Sequence, residues 1–233
     1  MFGKEVESAA QAHAMREYPK ESCGLVIDGR YDSQLNIAED VENYFEIQPS
    51  AFRPNIEAII HSHCAPRHGR DPSAADMAFQ IEQQKPFGIV HTDGAHAASI
   101  LWWGDFRLDD PLEGREFIHG VLDCYGLVRA SFWQTRRIKL LDFPRDPSWW
   151  SKGNADLYAA GIAKAGFVRI DASQAKPGDG MLFKSSAKGV PPHHAGVLID
   201  ENRLLHHKVG ERSKITLINP LLPFIHSWYR HVN

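Results

Sequence analysis

The sequence predicts two mixed α+β domains, and three observations lead to that prediction. The chain has 233 residues, more than an average single domain and enough for two. A polar segment rich in Gly and charge, GDFRLDDPLEGRE, interrupts the apolar pattern near residue 110. After it the chain reads as helices first and short strands later, which is typical of an α+β domain. We therefore expect one domain at residues 1–108 and a second at residues 112–233.

Composition is that of an ordinary globular protein, with 43% hydrophobic and 24% charged residues. The net charge of -3 gives no basic field, so we expect no nucleic-acid partner. No apolar run approaches the roughly 18 residues of a membrane-spanning helix, and the N-terminal segment lacks the apolar core of a signal peptide. The three cysteines are odd in number and far apart, which favours a reducing compartment over a disulfide framework. These features predict a protein made in the cytoplasm, with no membrane span.

Apolar periodicity and turn residues predict the elements of the first domain. We expect a helix over roughly residues 4–17 and a strand at CGLVID, closed by Gly29. A second strand is expected at residues 57–63, and a helix opened by Ser73 follows a loop. GIVHT and AASILWW are two further strand candidates.

The second domain is expected to begin with a helix after Asp123 and to continue with a helix around Asn154 to Ala165. Trp149 and Trp150 lie in the loop between them and are the tryptophans that we expect to be exposed. Short strands then follow at FVRI, GMLFK, HAGVLI, NRLLHH and KITLIN.

A pair of histidines is the sharpest signal of the first domain. His61 and His63 alternate on a strand, so both imidazoles project from one face and can chelate one metal ion. Asp76, on the helix after the loop, can add a carboxylate, and this leaves a fourth tetrahedral position for water, as in catalytic zinc sites. Glu21 is then the candidate general base and Ser73 the candidate donor to an oxyanion. Alone, such a histidine pair is weak evidence, because half-buried strand histidines are common.

The complete set resembles a known motif. Glu21-Ser-Cys-Gly, His61-Ser-His63 and Ser73-Ala-Ala-Asp76 resemble the JAMM motif of JAB/MPN metallopeptidases over roughly residues 1 to 105. The resemblance implies a cytidine-deaminase-like α/β domain with Zn²⁺ held by His61, His63 and Asp76, Glu21 as base and Ser73 as oxyanion stabiliser. Two features depart from that motif: the loop before Ser73 is about two residues longer, and Cys64 replaces the usual proline. The loop carries His68, which can alter the metal geometry or substitute as a ligand.

The second domain contains a candidate nucleophile. Cys124 lies directly before an apolar helical run, where the helix N-terminus is expected to lower the pKa of its thiol. Such a cysteine needs a base, and the base needs an orienting partner. His194 opens one strand and His206 ends the next, and we expect these two histidines at opposite ends of the strand pair. On the residues alone, a buried helix-start cysteine with unrelated histidines is equally well supported.

A second resemblance covers about residues 112 to 210. Asp123-Cys124-Tyr125-Gly126-Leu127-Val128, Pro177-Gly178-Asp179, His194-Ala-Gly-Val and Leu204-Leu205-His206 resemble NlpC/P60 peptidases, in that order along the chain. The resemblance implies a papain-like α+β fold with Cys124 as nucleophile, His194 as base and His206 as the orienting third residue. His193 and His207 are immediate neighbours of the two histidines and stay open as alternatives.

The order of the two domains resembles that of the tail-tip assembly proteins of lambda-like tailed phages. The resemblance implies a peptidase of tail assembly, or of cell-wall entry, whose substrates are tail proteins or peptidoglycan stem peptides. Other tail-tip proteins are the implied partners, and the host cytoplasm and then the virion tail tip are the implied locations. Two alternatives stay open: a structural assembly component whose sites are partly idle, and a cellular peptidoglycan endopeptidase, which would need export.

Overall fold

The structure is a computed structural model that describes residues 2–147, 149–151, 156–184 and 189–233. Within these residues the chain forms two units, one made mostly of residues up to 105 and the other mostly of residues 106–233. Each unit combines helices with one sheet, which confirms the mixed α+β class. In the described part of the chain, no helix has the length and apolar character needed to cross a bilayer.

The first unit is built on a five-stranded sheet. Up to residue 105 the elements, in chain order, are α1 (Lys4–Glu17), β1 (Cys23–Ile27), β2 (Arg30–Gln34), β3 (Ile56–Cys64), α2 (Ala74–Gln83), β4 (Phe87–Thr92) and β5 (Leu101–Trp103). The strand order is β2-β1-β3-β4-β5, in which β3 and β4 run parallel and the other neighbours run antiparallel.

Helix α1 covers one face of this sheet because its small apolar residues recur every four positions. Val6, Ala10 and Ala14 are buried in one core cluster with Ala58 and Ile60 of β3. Since side chains alternate along a strand, His61 and His63 lie on the face of β3 opposite α1. The strand thus supports a core with one face and presents two histidines on the other.

In its described residues, the second unit has two α-helices and a six-stranded antiparallel sheet. Its elements are α3 (Cys124–Arg136), α4 (Leu157–Gly161), β6 (Phe167–Ile170), β7 (Gly180–Phe183), β8 (His194–Leu198), β9 (Arg203–His206), β10 (Lys214–Leu217) and β11 (Ile225–His231). The strand order is β10-β9-β8-β7-β11-β6.

Helix α3 packs against this sheet through its apolar side. Val128 and Phe132 share a buried cluster with Leu182 of β7 and with Ala195 and Val197 of β8. Ala195 and Val197 alternate on β8 and so point to the same face, the one that α3 covers. This packing brings the beginning of α3 next to the beginning of β8.

Several elements differ from the sequence predictions. The second helix of this unit is only α4, Leu157–Gly161, and the position predicted for its start, Asn154, lies outside the described residues. The strand expected at AASILWW is confined to Leu101–Trp103. Strands β2 and β11 were not predicted.

Candidate functional site

Cys124 occupies the first position of α3, and Asp123 caps that helix. The Asp123 carboxylate accepts hydrogen bonds from the backbone N–H groups of Gly126, at 2.8 Å, and Gly120, at 3.0 Å. Asp123 therefore holds the turn before the helix and the first helical turn together, as a good capping residue does. Cys124 follows it in a fixed backbone position and is half-buried.

A buried ion pair fixes the cap itself. Arg145 donates from Nε and Nη2 to the two carboxylate oxygens of Asp123, at 2.7 and 3.0 Å, and both residues are buried. Although burial alone would raise it, the pKa of Asp123 is lowered to about 2 by the charge and hydrogen bonds of Arg145 and by the Gly126 N–H. The same guanidinium also pairs with Asp142 at 3.0 Å. Paired and charged, Asp123 adds a negative charge directly beside Cys124.

The thiol of Cys124 does not have the lowered pKa that a helix N-terminus suggests. Burial raises its pKa, and the charge of Asp123 raises it further. The hydroxyl of Tyr158 and the backbone N–H of Ala195 act in the opposite direction but do not prevail. Burial and the Asp123 charge thus act against the lowering that the helix N-terminus is expected to cause. The thiol is neutral at pH 7 and needs a base to take its proton.

The Sγ atom of Cys124 lies next to both backbone neighbours of His194. It is 3.9 Å from the carbonyl oxygen of His193, and it also interacts with the N–H of Ala195. On its other side, Sγ lies 3.5 Å from the Tyr158 hydroxyl. These contacts put Cys124 at the point where β8 begins.

The two strand histidines meet, contrary to the expectation that they lie at opposite ends of the strand pair. Nε2 of His194 lies 3.2 Å from Nδ1 of His206. Strands β8 and β9 form a hairpin in which Gly196 pairs with His206 and Leu198 with Leu204. The start of β8, at His194, and the end of β9, at His206, both lie at the open end of this hairpin. The expectation was wrong because, in an antiparallel hairpin, the beginning of the first strand lies beside the end of the second.

A third strand extends this line of polar groups. Nε2 of His206 lies 3.2 Å from Oγ1 of Thr216 on β10. Burial lowers the pKa of His194 to about 3, with the nearby His206 as the second cause. Burial, followed by the charges of Lys208 and Lys214, lowers the pKa of His206 to about 4. Both imidazoles are therefore neutral at pH 7, the state in which His194 can accept a proton.

The neighbouring histidines have other contacts. His207 is buried against Phe117, with ring centroids 5.1 Å apart. His193 stacks on Trp150 at 4.7 Å, and its Nδ1 lies 3.2 Å from the Pro191 carbonyl oxygen. His193 and His207 also line the cavity around Cys124, but the histidine pair in direct contact is His194 and His206.

A cavity of about 550 Å³ surrounds these groups. Cys124, His194 and His206 all line it, with Tyr158 and Trp150 among its aromatic walls. Of the two tryptophans expected to be exposed, Trp149 is buried, and Trp150 is half-buried beside the cavity. The volume is within the range of small-ligand and peptide pockets.

In the N-terminal half of the chain, the three expected ligands converge. One ligand atom each of His61, His63 and Asp76 lies within 4.8 Å of the others, and all three residues are buried. The Nε2 atoms of the histidines are 3.2 Å apart. Nδ1 of His63 donates to the Gly69 carbonyl at 2.8 Å, which leaves its Nε2 as an acceptor. Metal-binding histidines are commonly oriented by such a backbone bond, and the three residues form a group that could hold a metal ion.

The two other residues of the motif have contacts of their own. Glu21 is buried, and its Oε1 lies 4.0 Å from Nε2 of His68 in the longer loop. The Ser73 hydroxyl donates to Oδ2 of Asp76 at 2.7 Å, and the Asp76 N–H donates back to the Ser73 oxygen at 3.1 Å. Ser73 thus orients Asp76 at the start of α2.

Sequence reasoning missed Tyr158, Thr216 and Arg145. Each is far along the chain from the residue that it contacts, so no local pattern points to it. The role of Asp123 could have been predicted from the sequence, since an aspartate directly before a helix is a typical N-cap.

Comparison with known proteins identifies the class. Residues 114–231 match the model of the NlpC/P60 family. Because this match covers half of the chain and contains Cys124, His194 and His206, the chain belongs to the NlpC/P60 family.

Two phage proteins are similar over most of the chain. Tail tip assembly protein K of Escherichia phage N15 is 32% identical over 216 residues, which cover 88% of this chain and 85% of that protein. Tail tip assembly protein K of Escherichia phage lambda is 34% identical over 163 residues, which cover 68% of this chain and 73% of that protein.

Solved structures show a weaker likeness. A protein similar to lipoprotein, of the NLP/P60 family, from Staphylococcus aureus subsp. aureus Mu50 aligns with 18% identity and a TM-score of 0.38, over 52% of this chain and 38% of that chain. An NlpC/P60 family protein from Bacillus cereus ATCC 10987 aligns with 10% identity and a TM-score of 0.37, over 100% of this chain and 68% of that chain. The family assignment rests on the sequence matches alone.

Proposed function

We propose that the second unit is a cysteine peptidase, with Cys124 as nucleophile, His194 as general base and His206 as the residue that orients it. The observation that carries this proposal is the contact of the two histidines at the open end of the β8–β9 hairpin, beside the start of α3. Covalent acyl transfer requires a nucleophile, a base that takes its proton, and a third group that orients the base. Membership of the NlpC/P60 family supports this chemistry.

Because the Cys124 thiol and the His194 imidazole are both neutral at rest, the first step is a proton transfer between them. His194 takes the proton of the Cys124 thiol as Sγ attacks the substrate carbonyl carbon, which forms a thioester and releases the amine. The protonated His194 returns that proton to the departing nitrogen. Water, activated by His194 in the same way, then hydrolyses the thioester and restores the thiol. The helix N-terminus at Cys124 offers backbone N–H groups to the oxyanion that forms during both steps.

The stem peptides of peptidoglycan are the substrate that we propose for this unit. Digestion of purified peptidoglycan by the intact chain should give stem-peptide fragments that are separable by chromatography. The fragments should disappear with Cys124→Ala, survive with Cys23→Ala, and survive treatment with a chelator. If none of these samples gives fragments, the substrate is a tail protein or the site is idle.

We further propose that His61, His63 and Asp76 hold a zinc ion, with Glu21 as a general base. The convergence of the three ligand atoms and the backbone bond of His63 support this proposal. When bound there, zinc would supply polarisation of a carbonyl group and would acidify water. Ser73 holds the Asp76 carboxylate in place, and its hydroxyl reaches an oxyanion only if it leaves that carboxylate.

Metal content tests the zinc proposal without any assay of activity. The purified intact chain should contain about one zinc per molecule, and His63→Ala and Asp76→Ala should each contain much less. His96→Ala is the matched control, because His96 is an exposed histidine in the same half of the chain. Equal zinc in His63→Ala and the intact chain would contradict the assignment.

The similarity to two tail tip assembly proteins supports a role in building a phage tail tip. We propose that the chain is made in the host cytoplasm, acts there with other tail-tip proteins, and reaches the virion tail tip. A purely structural part in assembly is the second candidate, which the same similarity supports.

In cells that produce such tails, Cys124→Ala should leave tail counts by electron microscopy unchanged if the site serves only wall cleavage. A loss of complete tails would assign the peptidase to assembly.

A further inference from the structure

Three neighbouring strands of the second unit carry a continuous line of polar side chains. His194 at the start of β8 contacts His206 at the end of β9, and His206 contacts Thr216 on β10, each at 3.2 Å. The two contacts of His206 use different ring nitrogens: Nδ1 faces His194, and Nε2 faces Thr216. A neutral imidazole has one N–H and one bare nitrogen, so the two contacts depend on each other.

Only one proton arrangement suits a base that receives the proton of a thiol. His194 must keep one ring nitrogen bare, and its Nε2 is occupied by His206. If His194 donates from Nε2, its Nδ1 is bare and available. His206 must then accept at Nδ1, and it therefore carries its own proton on Nε2, from which it donates to Thr216.

The reverse arrangement blocks the reaction. If the Thr216 hydroxyl donated to Nε2 of His206, the proton of His206 would lie on Nδ1 and would point at Nε2 of His194. His194 would then carry its proton on Nδ1, and its unprotonated Nε2 would already accept the proton of His206, so neither nitrogen could take the proton of the thiol. The direction of the hydrogen bond between Thr216 and His206 therefore distinguishes the two states.

We propose that Thr216 is a positioning residue, which accepts the Nε2 proton of His206 and so fixes the tautomers of both histidines. This inference rests on the proposed peptidase site, whose general base is His194. Without the hydroxyl, the Nε2–H of His206 has no partner on β10, and its tautomers approach equal populations.

The place of Thr216 in the sheet suits this role. It lies on β10, where it pairs with Leu204, two residues from His206 along β9. Diagonal neighbours on adjacent strands are within reach of each other on the same face of a sheet. Threonine also favours strands, and valine has the same shape and preference, so Thr216→Val removes the hydroxyl with little change in backbone.

The experiment uses the intact chain with ¹⁵N-labelled histidine, and compares it with Thr216→Val and Thr216→Ser. Long-range ¹H–¹⁵N spectra distinguish a ring protonated at Nδ1 from one protonated at Nε2, and His194→Gln and His206→Gln assign the signals. Thr135→Val is the matched control, because that hydroxyl donates to the Ser131 carbonyl within α3. Thermal melting of each variant verifies that it is folded.

We expect both His194 and His206 to be Nε2–H in the intact chain, in Thr216→Ser and in Thr135→Val. Thr216→Val should give mixed tautomers, and acylation of Cys124 by p-nitrophenyl acetate should slow roughly tenfold, which corresponds to the loss of one hydrogen bond. A His206 protonated at Nδ1 in the intact chain, or unchanged tautomers in Thr216→Val, would overturn the inference. Since the spectra need no substrate, they remain decisive even if the chain hydrolyses no peptide.

Discussion

At the scale of single residues, the three cysteines differ in their exposure, and none of them has a lowered pKa. Cys23 and Cys64 are buried, and burial raises the pKa of their thiols to about 12 and about 11. The pKa of Cys124 is raised too, but its side chain is half-buried at the cavity. We therefore expect the reactivity of Cys124 to depend on access to its side chain and on the proposed base His194, in contrast to sites that hold a permanent thiolate.

Iodoacetamide should label the native chain at Cys124 alone. Because the pKa of this thiol is raised, the thiolate fraction is small at neutral pH and grows as the pH rises. The labelling rate should still be increasing above pH ~8.5, the ordinary thiol value. Peptide mass spectrometry identifies the labelled residue, with Cys23→Ala as a control that should label normally. A rate that levels off below pH 7 would mean a stabilised thiolate and would contradict this account.

The buried ion pair of Asp123 and Arg145 fixes the helix cap directly before Cys124. Arg145→Met leaves the Asp123 carboxylate buried without its charge partner, so unfolding of the second unit should become easier by about 3–5 kcal/mol. Urea denaturation measures this loss. Arg203→Met removes an exposed pair with Asp200 and should change little. Equal small effects for both variants would show that the cap does not need the pair.

At the scale of elements, the β8–β9 hairpin carries two histidines whose lowered pKa values make the stability of the second unit depend on pH. The folded pKa values of His194 and His206, about 3 and about 4, lie below the ordinary histidine value of about 6.5. The unfolded chain therefore binds more protons at intermediate pH, and stability is complete above about pH 6.5. It is lost progressively as the pH falls toward the two folded values.

Replacing one of these histidines tests that linkage. His206→Gln keeps a polar side chain but cannot titrate, so the stability of the second unit should fall less between pH 6.5 and about 4 than in the intact chain. Denaturant midpoints at several pH values measure the slope. His226→Gln, on β11 outside the hairpin, is the control that should keep the original slope. An unchanged slope in His206→Gln would mean that this histidine is protonated equally in both states.

Sequence patterns predicted the elements that carry strong apolar periodicity, and missed those that do not. Helix α1 and the strands around His61 and His194 were located closely, because each combines an apolar pattern with clear boundaries. Strand β2 escaped notice because RYDSQ is a polar, mostly exposed edge strand with no apolar alternation. The contacts among His194, His206 and Thr216 were out of reach, because they depend on strand register, which spacing along the chain does not reveal.

At the scale of the whole molecule, we expect the two halves of the chain to carry independent chemistry. Removing zinc with a chelator should therefore leave the iodoacetamide labelling rate of Cys124 unchanged. The same treatment should increase amide hydrogen exchange in β3, which carries His61 and His63. His63→Ala should reproduce the exchange pattern without chelator. Slower labelling of Cys124 after chelation would show that the thiol site depends on the metal.

Acyl transfer to the intact chain tests most directly whether Cys124 is a nucleophile served by His194. After brief incubation with p-nitrophenyl acetate, mass spectrometry should find one acetyl group, on Cys124. The group should be absent in Cys124→Ala, should form much more slowly in His194→Gln, and should form normally in Cys64→Ala. Acetylation spread equally over other nucleophiles, or unchanged at Cys124 in His194→Gln, would contradict the account.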